Sequence, residues 1–176
     1  MPSEVIVQST LFEALVRSTR VDALMKSRLN EAGYDVDRPR ASYPASVFLA
    51  CQEVVLSVSY AGRPRNEALR QMGRDLVRSY FDTLVGKVVG VALSVAGPER
   101  AMKRVALSFR SVFEPVNIRS EPLGPQDWRV EFRAYPFPAE SAAGTCEEAL
   151  RKAGAAQPRV TLEREDSAGF DLRIRW

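Results

Sequence analysis

Arginine is the residue type with the clearest capacity for chemistry in this sequence. Of the 25 basic residues only four are lysines, which leaves 21 arginines. Guanidinium groups bind phosphates and carboxylates through paired hydrogen bonds and stack on planar rings. A GC-rich coding sequence would also raise the arginine count, so abundance alone decides nothing. The sequence predicts a site for an anionic ligand at six positions: Arg70, Arg74, Arg100, Arg104, Arg110 and Asn117.

The arginines of one predicted helix allow two interpretations. Arg70, Arg74 and Arg78 recur every four residues and therefore share one helical face. Such a row can bind phosphates, but it is also typical of a solvated face, because acidic residues accompany it. The segment around Arg100, Lys103 and Arg104, continued by Arg110, is the densest basic patch in the chain.

The residues that most enzymes use are missing or inert. The chain contains no histidine, the commonest metal ligand and the usual general base near neutral pH. Its carboxylates, such as Glu163 and Glu165, lie among arginines and predict surface ion pairs. Cys51 and Cys146 form no CxxC motif, and the apolar run around Cys51 predicts a core residue. We therefore expect no catalytic activity, no metal and no cofactor.

Charge and hydropathy limit the possible partners. The formal net charge is only +3, because 22 acidic residues offset the basic ones. A nucleic-acid-binding protein is expected to carry a strongly basic stripe with interleaved aromatic residues. Because acidic residues are spread through this chain, nucleic acid is an unlikely partner. No apolar run reaches the length of a spanning helix, and the segment from Met1 to Glu4 lacks the basic region of a signal peptide. We expect a cytoplasmic protein with reduced thiols and no membrane contact.

Helical patterns fill residues 1–110. A capping box at Thr10 and Glu13 predicts the start of the first helix. The second predicted helix buries a face containing Val21, Leu24, Met25 and Leu29 and ends at Gly33. A polar loop is predicted for 34–43. Further helices are predicted at 47–58, 67–84 and 99–109, the first of them largely buried.

Residues 111–176 read as two strands, a helix and two strands. The alternation predicts one inward face made of Val116, Ile118, Trp128, Val130, Phe132, Ala134, Val160, Leu162, Phe170, Leu172, Ile174 and Trp176. Tyr135 is predicted to point outward, and 121–127 to form a turn. The sequence thus predicts a single α+β domain over 1–176, with N-terminal helices packed on a C-terminal four-stranded antiparallel ββαββ sheet.

Several segments together resemble a paralogous family of uncharacterised proteins amplified in myxobacteria. They are Arg38-Pro39, Tyr43-Pro44, the stretches 67–74, 80–86 and 97–101, and Phe109-Arg110 followed by a strand with Asn117. The resemblance covers most of the chain. Because that family is a domain of unknown function, the resemblance implies a lineage and no mechanism.

A second resemblance concerns the fold. Helices followed by a sheet with an inserted helix are similar to the superfamily of haem-NO-binding, vinyl-reductase-like and transport-particle domains. This resemblance implies ligand sensing or protein contact. Its haem-binding branch needs an axial histidine, and the absence of histidine excludes haem held in that way.

We therefore expect a non-enzymatic signalling or regulatory module that binds a small ligand or a protein partner as a homodimer. The sharper hypothesis is a small anionic ligand such as a cyclic dinucleotide, because two copies at a two-fold axis suit a symmetric ligand. A nucleic-acid-binding regulatory protein and a histidine-free enzyme are the alternatives.

Overall fold

Helices dominate the chain up to Arg110, and strands dominate the rest. The computed structural model describes residues 4–176, so the first residues of the stretch considered for a signal peptide lie outside it. The helices of the described part are α1 (Ser9–Arg17), α2 (Ala23–Glu31), α3 (Ala45–Ser59), α4 (Arg65–Asp82), α5 (Leu84–Ala96), α6 (Pro98–Lys103), α7 (Val105–Arg110) and α8 (Ala139–Lys152). The strands are β1 (Ile6–Gln8), β2 (Ser42–Pro44), β3 (Phe113–Glu114), β4 (Asn117–Gly124), β5 (Asp127–Arg133), β6 (Arg159–Asp166) and β7 (Gly169–Arg175).

The main sheet has the predicted architecture. Its strand order is β4-β5-β7-β6, every neighbouring pair is antiparallel, and α8 connects β5 to β6. The α+β prediction with a four-stranded antiparallel ββαββ sheet is therefore confirmed. A second, three-stranded sheet of order β2-β1-β3 was not predicted. It ties the N-terminal strand to the segment that leads into the main sheet.

A cluster of buried side chains runs from the helices into the sheet. Phe12 stacks on Tyr34 at a centroid distance of 4.8 Å and contacts Tyr43 at 4.7 Å. The polar loop predicted for 34–43 is thus anchored in the core by a tyrosine at each end. The central position of α3 is confirmed, because Phe48, Cys51 and Val55 are buried.

Two details of the N-terminal helices differ from the prediction. The capping box is wrong, because α1 begins at Ser9 with Gln8 as its N-cap. Pairing of β1 holds the backbone extended through Gln8 and so fixes where the helix starts. Leu24 is also misplaced, with 57% of its side chain exposed, because the buried face of α2 carries only Met25 and Leu29.

The helix predicted for 99–109 is two short helices. The chain breaks at Arg104, where φ is −111° and ψ is 4°. At this break the Met102 carbonyl accepts a hydrogen bond of 3.0 Å from the Ser120 hydroxyl on β4. The break thus ties α6 to the edge strand of the sheet.

The predicted inward face of the sheet is confirmed at its centre, and the prediction is wrong at three residues. Ala134 is exposed because β5 ends at Arg133 and Ala134 adopts a φ of 51°. Tyr135 then turns inward and packs on Phe132 and Phe170. Leu162 is 37% exposed because the β6–β7 register shifts beside it.

The turn predicted for 121–127 is shorter than expected. β4 continues to Gly124, which pairs with Asp127, so only Pro125 and Gln126 connect the strands. Gln126 adopts a φ of 55°, the positive φ that a type II turn requires at the position after its proline.

No single helix among residues 4–176 is both long and apolar enough to cross a membrane. Only α4 and α5 taken together meet that test by length and composition, and they are bent against each other by 101°.

Candidate ligand-binding cavity

Arg70 and Arg74 lie together, but they contact α8. Arg74 Nη1 is 2.7 Å from Glu147 Oε2, and Arg70 Nε is 3.0 Å from Glu140 Oε2. Arg70 also donates a 2.7 Å hydrogen bond to the Val160 carbonyl on β6. The predicted arginine row of α4 is therefore an inter-helix ion-pair network, an arrangement that neither of the two interpretations from sequence described.

Close packing of α4 and α8 makes this network possible. Gly73 lies against the Ser141 carbonyl, and Gly144 lies against the Arg70 carbonyl, so a Cβ at either glycine would overlap backbone atoms. Because neither glycine has a side chain, the helix backbones meet directly and the charged side chains span the edge of the contact.

A cavity of about 430 Å³ lies beside this helix pair. Helix α5 forms one wall, α6 and α7 form another, and α4, α8 and the Tyr135 region close the remaining sides. Ligand pockets in proteins commonly measure about 300–1,000 Å³. The lining is largely apolar, and its buried part contains Phe48, Met102, Phe109, Phe113, Cys146 and Leu150.

The cavity contains one buried polar group that lacks a partner. Gln52 lines the cavity and is only 2% exposed, and its Oε1 atom has no hydrogen-bond partner among residues 4–176. Leaving a buried amide oxygen unpaired costs about 1–3 kcal/mol. A bound molecule that donates a hydrogen bond at this position would remove that cost.

Two arginines of the predicted set line the same cavity at its exposed side. Arg100 and Arg104 are both exposed, and within residues 4–176 neither forms an ion pair. Arg110, at the end of α7, and Asn117, the first residue of β4, are also exposed but are not part of the lining. The six predicted residues therefore separate into a pair fixed to α8, a pair at the cavity and two residues outside it.

Burial keeps the Cys146 thiol and the Tyr135 hydroxyl, which line the cavity, neutral. Desolvation raises the pKa of the Cys146 thiol to about 12, with a smaller contribution from the charge of Glu147. Desolvation also raises the pKa of the Tyr135 hydroxyl well above its usual value. Both groups are protonated at neutral pH, so the cavity offers a thiol and a phenol and no buried anion.

Sequence reasoning missed the cavity and Gln52. On α5, Gly86 permits a close contact with the end of α4, because a Cβ there would overlap the Tyr80 carbonyl. The cavity arises from side chains on eight elements, namely α1, α3 to α8 and β3, whose arrangement no local pattern encodes. The only sequence signal for Gln52 is an amide inside the mainly apolar helical run 47–58, which also contains Glu53 and Ser57.

The comparisons with known proteins support a family and a fold. The sequence profile of the family described as "Protein of unknown function (DUF2378)" matches residues 5–176. The resemblance to a family of unknown function is thereby confirmed. No curated protein shows significant sequence similarity to the chain.

Among solved structures, the chain resembles H-NOX proteins. An H-NOX protein from S. oneidensis in the Fe(II) state superposes with a TM-score of 0.70 at 14% identity, covering 96% of this chain and 95% of the other. An Fe(II) unliganded H-NOX protein mutant from K. algicida gives 0.66 at 12% identity, with 96% and 95% covered. A structure concerned with porphyrin distortion and haem redox potential gives 0.71 at 12% identity, with 96% and 99% covered. At these identities the likeness is one of fold, and the predicted fold resemblance is confirmed.

The lining of the cavity does not fit a haem held by histidine. Haem iron is ligated by histidine, by a cysteine thiolate, by tyrosine, or by methionine beside a histidine. The chain has no histidine. Met102 therefore lacks the histidine that accompanies a methionine ligand, and burial raises the pKa of Cys146 and of Tyr135 in the ligand-free protein.

Proposed function

Because the chain belongs to the family of proteins of unknown function matched over residues 5–176, whose fold is that of H-NOX proteins, we propose that it is a non-enzymatic sensory module. It binds a small organic molecule in the cavity between α5, α6, α7 and α8, and it acts as a homodimer. The unpaired Oε1 atom of Gln52 inside an apolar cavity is the observation that carries this proposal.

The lining indicates the chemistry of the ligand. An apolar body fits the aromatic and aliphatic walls, and a hydrogen-bond donor on that body satisfies Gln52. An anionic group fits at the exposed side, where Arg100 and Arg104 form no ion pair with other residues of the described chain. The proposed ligand is therefore an amphipathic organic acid.

A cyclic dinucleotide held by arginines is the second candidate. The exposed guanidinium groups of Arg100, Arg104 and Arg110 favour it, since such groups bind phosphates and stack on bases. The apolar lining argues for a less polar ligand than two phosphates and two riboses. A cyclic dinucleotide would therefore bind at the exposed arginines and outside the cavity.

The test uses the fluorescent probe 1-anilinonaphthalene-8-sulfonate, which has an apolar body, an N–H donor and one anionic group. The wild-type protein is expected to bind one equivalent. The variant Ala149→Phe places a ring in the lining and should abolish this binding, while circular dichroism verifies that the variant is folded.

Single arginine variants separate the cavity from the rest of the predicted set. Arg100→Ala and Arg104→Ala should each weaken probe binding roughly threefold to tenfold, as expected for loss of a charge-assisted contact. Arg110→Ala is the matched control and should leave it unchanged, because Arg110 is exposed but lies outside the lining. Unaltered binding in Ala149→Phe would reject the cavity as the site.

The cyclic dinucleotide is tested separately by thermal shift. A ligand that binds only the folded state raises the melting temperature at about 1 mM if its dissociation constant lies well below that concentration. A shift that Arg110→Ala reduces and Ala149→Phe preserves would favour the second candidate. The absence of a shift would exclude it.

A further inference from the structure

Helix α5 exposes a continuous row of apolar side chains. The exposed fractions are 89% for Leu84, 72% for Val88, 65% for Val91 and 82% for Val95. We call these four residues the α5 row. Val85 beside it is 53% exposed. Soluble proteins rarely leave such contiguous apolar surface in water unless a partner covers it.

The spacing within the row indicates what kind of partner fits. The four residues follow one another at intervals of four, three and four, which is the heptad spacing of helices that pair along an apolar seam. Val88 and Val95 take the a positions, and Leu84 and Val91 take the d positions. Valine also loses little side-chain entropy when it packs, because its χ1 is already restricted in a helix.

Charge on α5 supports the same partner. Lys87 is the only charged residue between Leu84 and Ala96. The helix therefore offers no pattern of charges that an acidic or basic protein of another kind would complement. Two copies of α5 can approach each other without opposing rows of like charge.

We propose that the α5 row is the surface through which two copies of this chain associate. Full burial of one valine or leucine corresponds to about 60–120 Å² of apolar area. The row with Val85 would thus bury about 600–1,200 Å² over both copies, which does not exceed the lower limit of the 1,200–2,000 Å² typical of stable complexes. The expected dimer is accordingly weak and depends on protein concentration.

The dimer surface adjoins the cavity, and this part of the inference rests on the proposed function. Val88 belongs to the row and also lines the cavity. Ala92 on α5 and Leu107 on α7 are exposed residues of the same lining. A second copy on the row therefore covers part of the open side of the cavity. Ligand binding and dimerisation then strengthen each other, because each favours the covered state.

Sedimentation of the full chain tests the surface. Over protein concentrations from about 1 μM to about 1 mM, the wild type should pass from monomer to dimer. Val91→Lys should raise the dissociation constant of the dimer at least roughly tenfold. Val91 does not line the cavity, and lysine has a better helix propensity than valine, so the fold should be unaffected.

Leu24→Lys is the matched control, since Leu24 is 57% exposed on α2 and should not alter the dimer. A wild type that remains monomeric throughout the range, or an unchanged dimer in Val91→Lys, would overturn the proposal. Binding of the monomer to phosphatidylglycerol-containing vesicles, lost in Val91→Lys, would overturn it in favour of a lipid surface.

Titration with 1-anilinonaphthalene-8-sulfonate separates this inference from the proposed function. If the row and cavity are coupled, probe affinity rises with protein concentration in the wild type and not in Val91→Lys. If the dimer depends on Val91 but no probe binds, the α5 row is supported as the dimer surface and the cavity is rejected as the ligand site. Probe binding by a protein that never dimerises would reject the surface alone.

Discussion

Gln52 is an amide placed where an aliphatic residue would pack without an unsatisfied group. Its Oε1 atom is buried and unpaired, whereas Gln71, on the polar side of α4, donates to Asp75 and accepts from Arg74. A buried polar group without a partner lowers the stability of the free protein. Its presence in the cavity lining is therefore better explained by binding than by folding.

Gln52→Leu should stabilise the ligand-free protein. Removing an unsatisfied amide oxygen recovers about 1 kcal/mol or more of unfolding free energy. For a chain of this length, each kcal/mol raises the melting temperature by about 2–4 °C. Differential scanning calorimetry of protein stripped of bound molecules measures the change.

Gln71→Leu is the matched control for this prediction. It removes a satisfied amide and should lower the melting temperature. If Gln52→Leu also lowered it, Gln52 would have a partner in the free protein, and the argument from its unpaired oxygen would fail.

The two buried thiols predict how stability depends on pH. Burial raises the pKa of Cys51 and that of Cys146 to about 12, from 9.0 in the unfolded chain. Below pH 9 both states hold the protons, so the stabilisation is complete. As pH rises from 9 towards 12, only the unfolded chain loses the protons, and each thiol then lowers the unfolding free energy by up to about 1.4 kcal/mol per pH unit.

Urea unfolding between pH 8 and pH 11 measures this dependence. Cys51→Val should reduce the slope above pH 9, although it changes stability at pH 8 as well. A slope that Cys51→Val leaves intact would mean that other groups cause the alkaline loss, and Tyr34, whose pKa burial raises to about 12, would be the next to test.

At the level of elements, the contact of α4 with α8 organises the molecule. The ion pairs of Arg70 and Arg74 with Glu147 lie along this contact, and Arg78 holds Glu148 with two hydrogen bonds of 2.9 and 3.0 Å. The four-residue arginine spacing is visible in the sequence. The role of these arginines cannot be predicted from the spacing, because the carboxylates that they pair with lie some seventy residues later in the chain.

Gly144→Ala should destabilise the protein strongly. Alanine normally favours a helix over glycine by about 1 kcal/mol, but here its Cβ would overlap the Arg70 carbonyl. The two helix backbones would have to separate, which also lengthens the ion pairs. We expect a loss of at least about 2 kcal/mol, in the range of overpacking at a tight contact, measured by urea unfolding.

Gly90→Ala on α5 provides the comparison. The Cβ there would meet the Lys152 side chain at 3.0 Å and the Phe81 ring at 3.1 Å, both of which can shift. The change should therefore be small or favourable. Equal losses for the two variants would show that helix propensity or general crowding, and not the backbone contact of α4 with α8, determines the result.

The same elements show which features the sequence could predict. Alternation over 116–133 and 159–175 predicted the strands and their buried face, because side-chain period in a strand is a local property. The predicted burial of Ala134 and Leu162 was wrong. Ala134 itself adopts a left-handed conformation, and a register shift beside Leu162 interrupts the strand period. The break between α6 and α7 depends on a hydrogen bond from β4, so no pattern within 98–110 could reveal it.

At the level of the whole molecule, the fold by itself does not identify a ligand. The chain superposes on H-NOX proteins over 96% of its length, yet it has no histidine, and the thiol and phenol in its cavity are neutral. The fold is shared, but the histidine of a histidine-held haem is absent. In the proposed function, binding comes from packing, from Gln52 and from the exposed arginines.

Reconstitution with haemin tests this distinction. The wild type is expected to give no stoichiometric complex with a sharp Soret band, whereas an H-NOX protein treated identically gives one. Any haemin that associates should do so through its apolar ring and its carboxylates, so the variants Arg100→Ala and Arg104→Ala should release it and Cys146→Ala should not. A stoichiometric complex whose spectrum changes in Cys146→Ala or in Met102→Leu would show that the cavity ligates iron, and the proposed organic ligand would then be wrong.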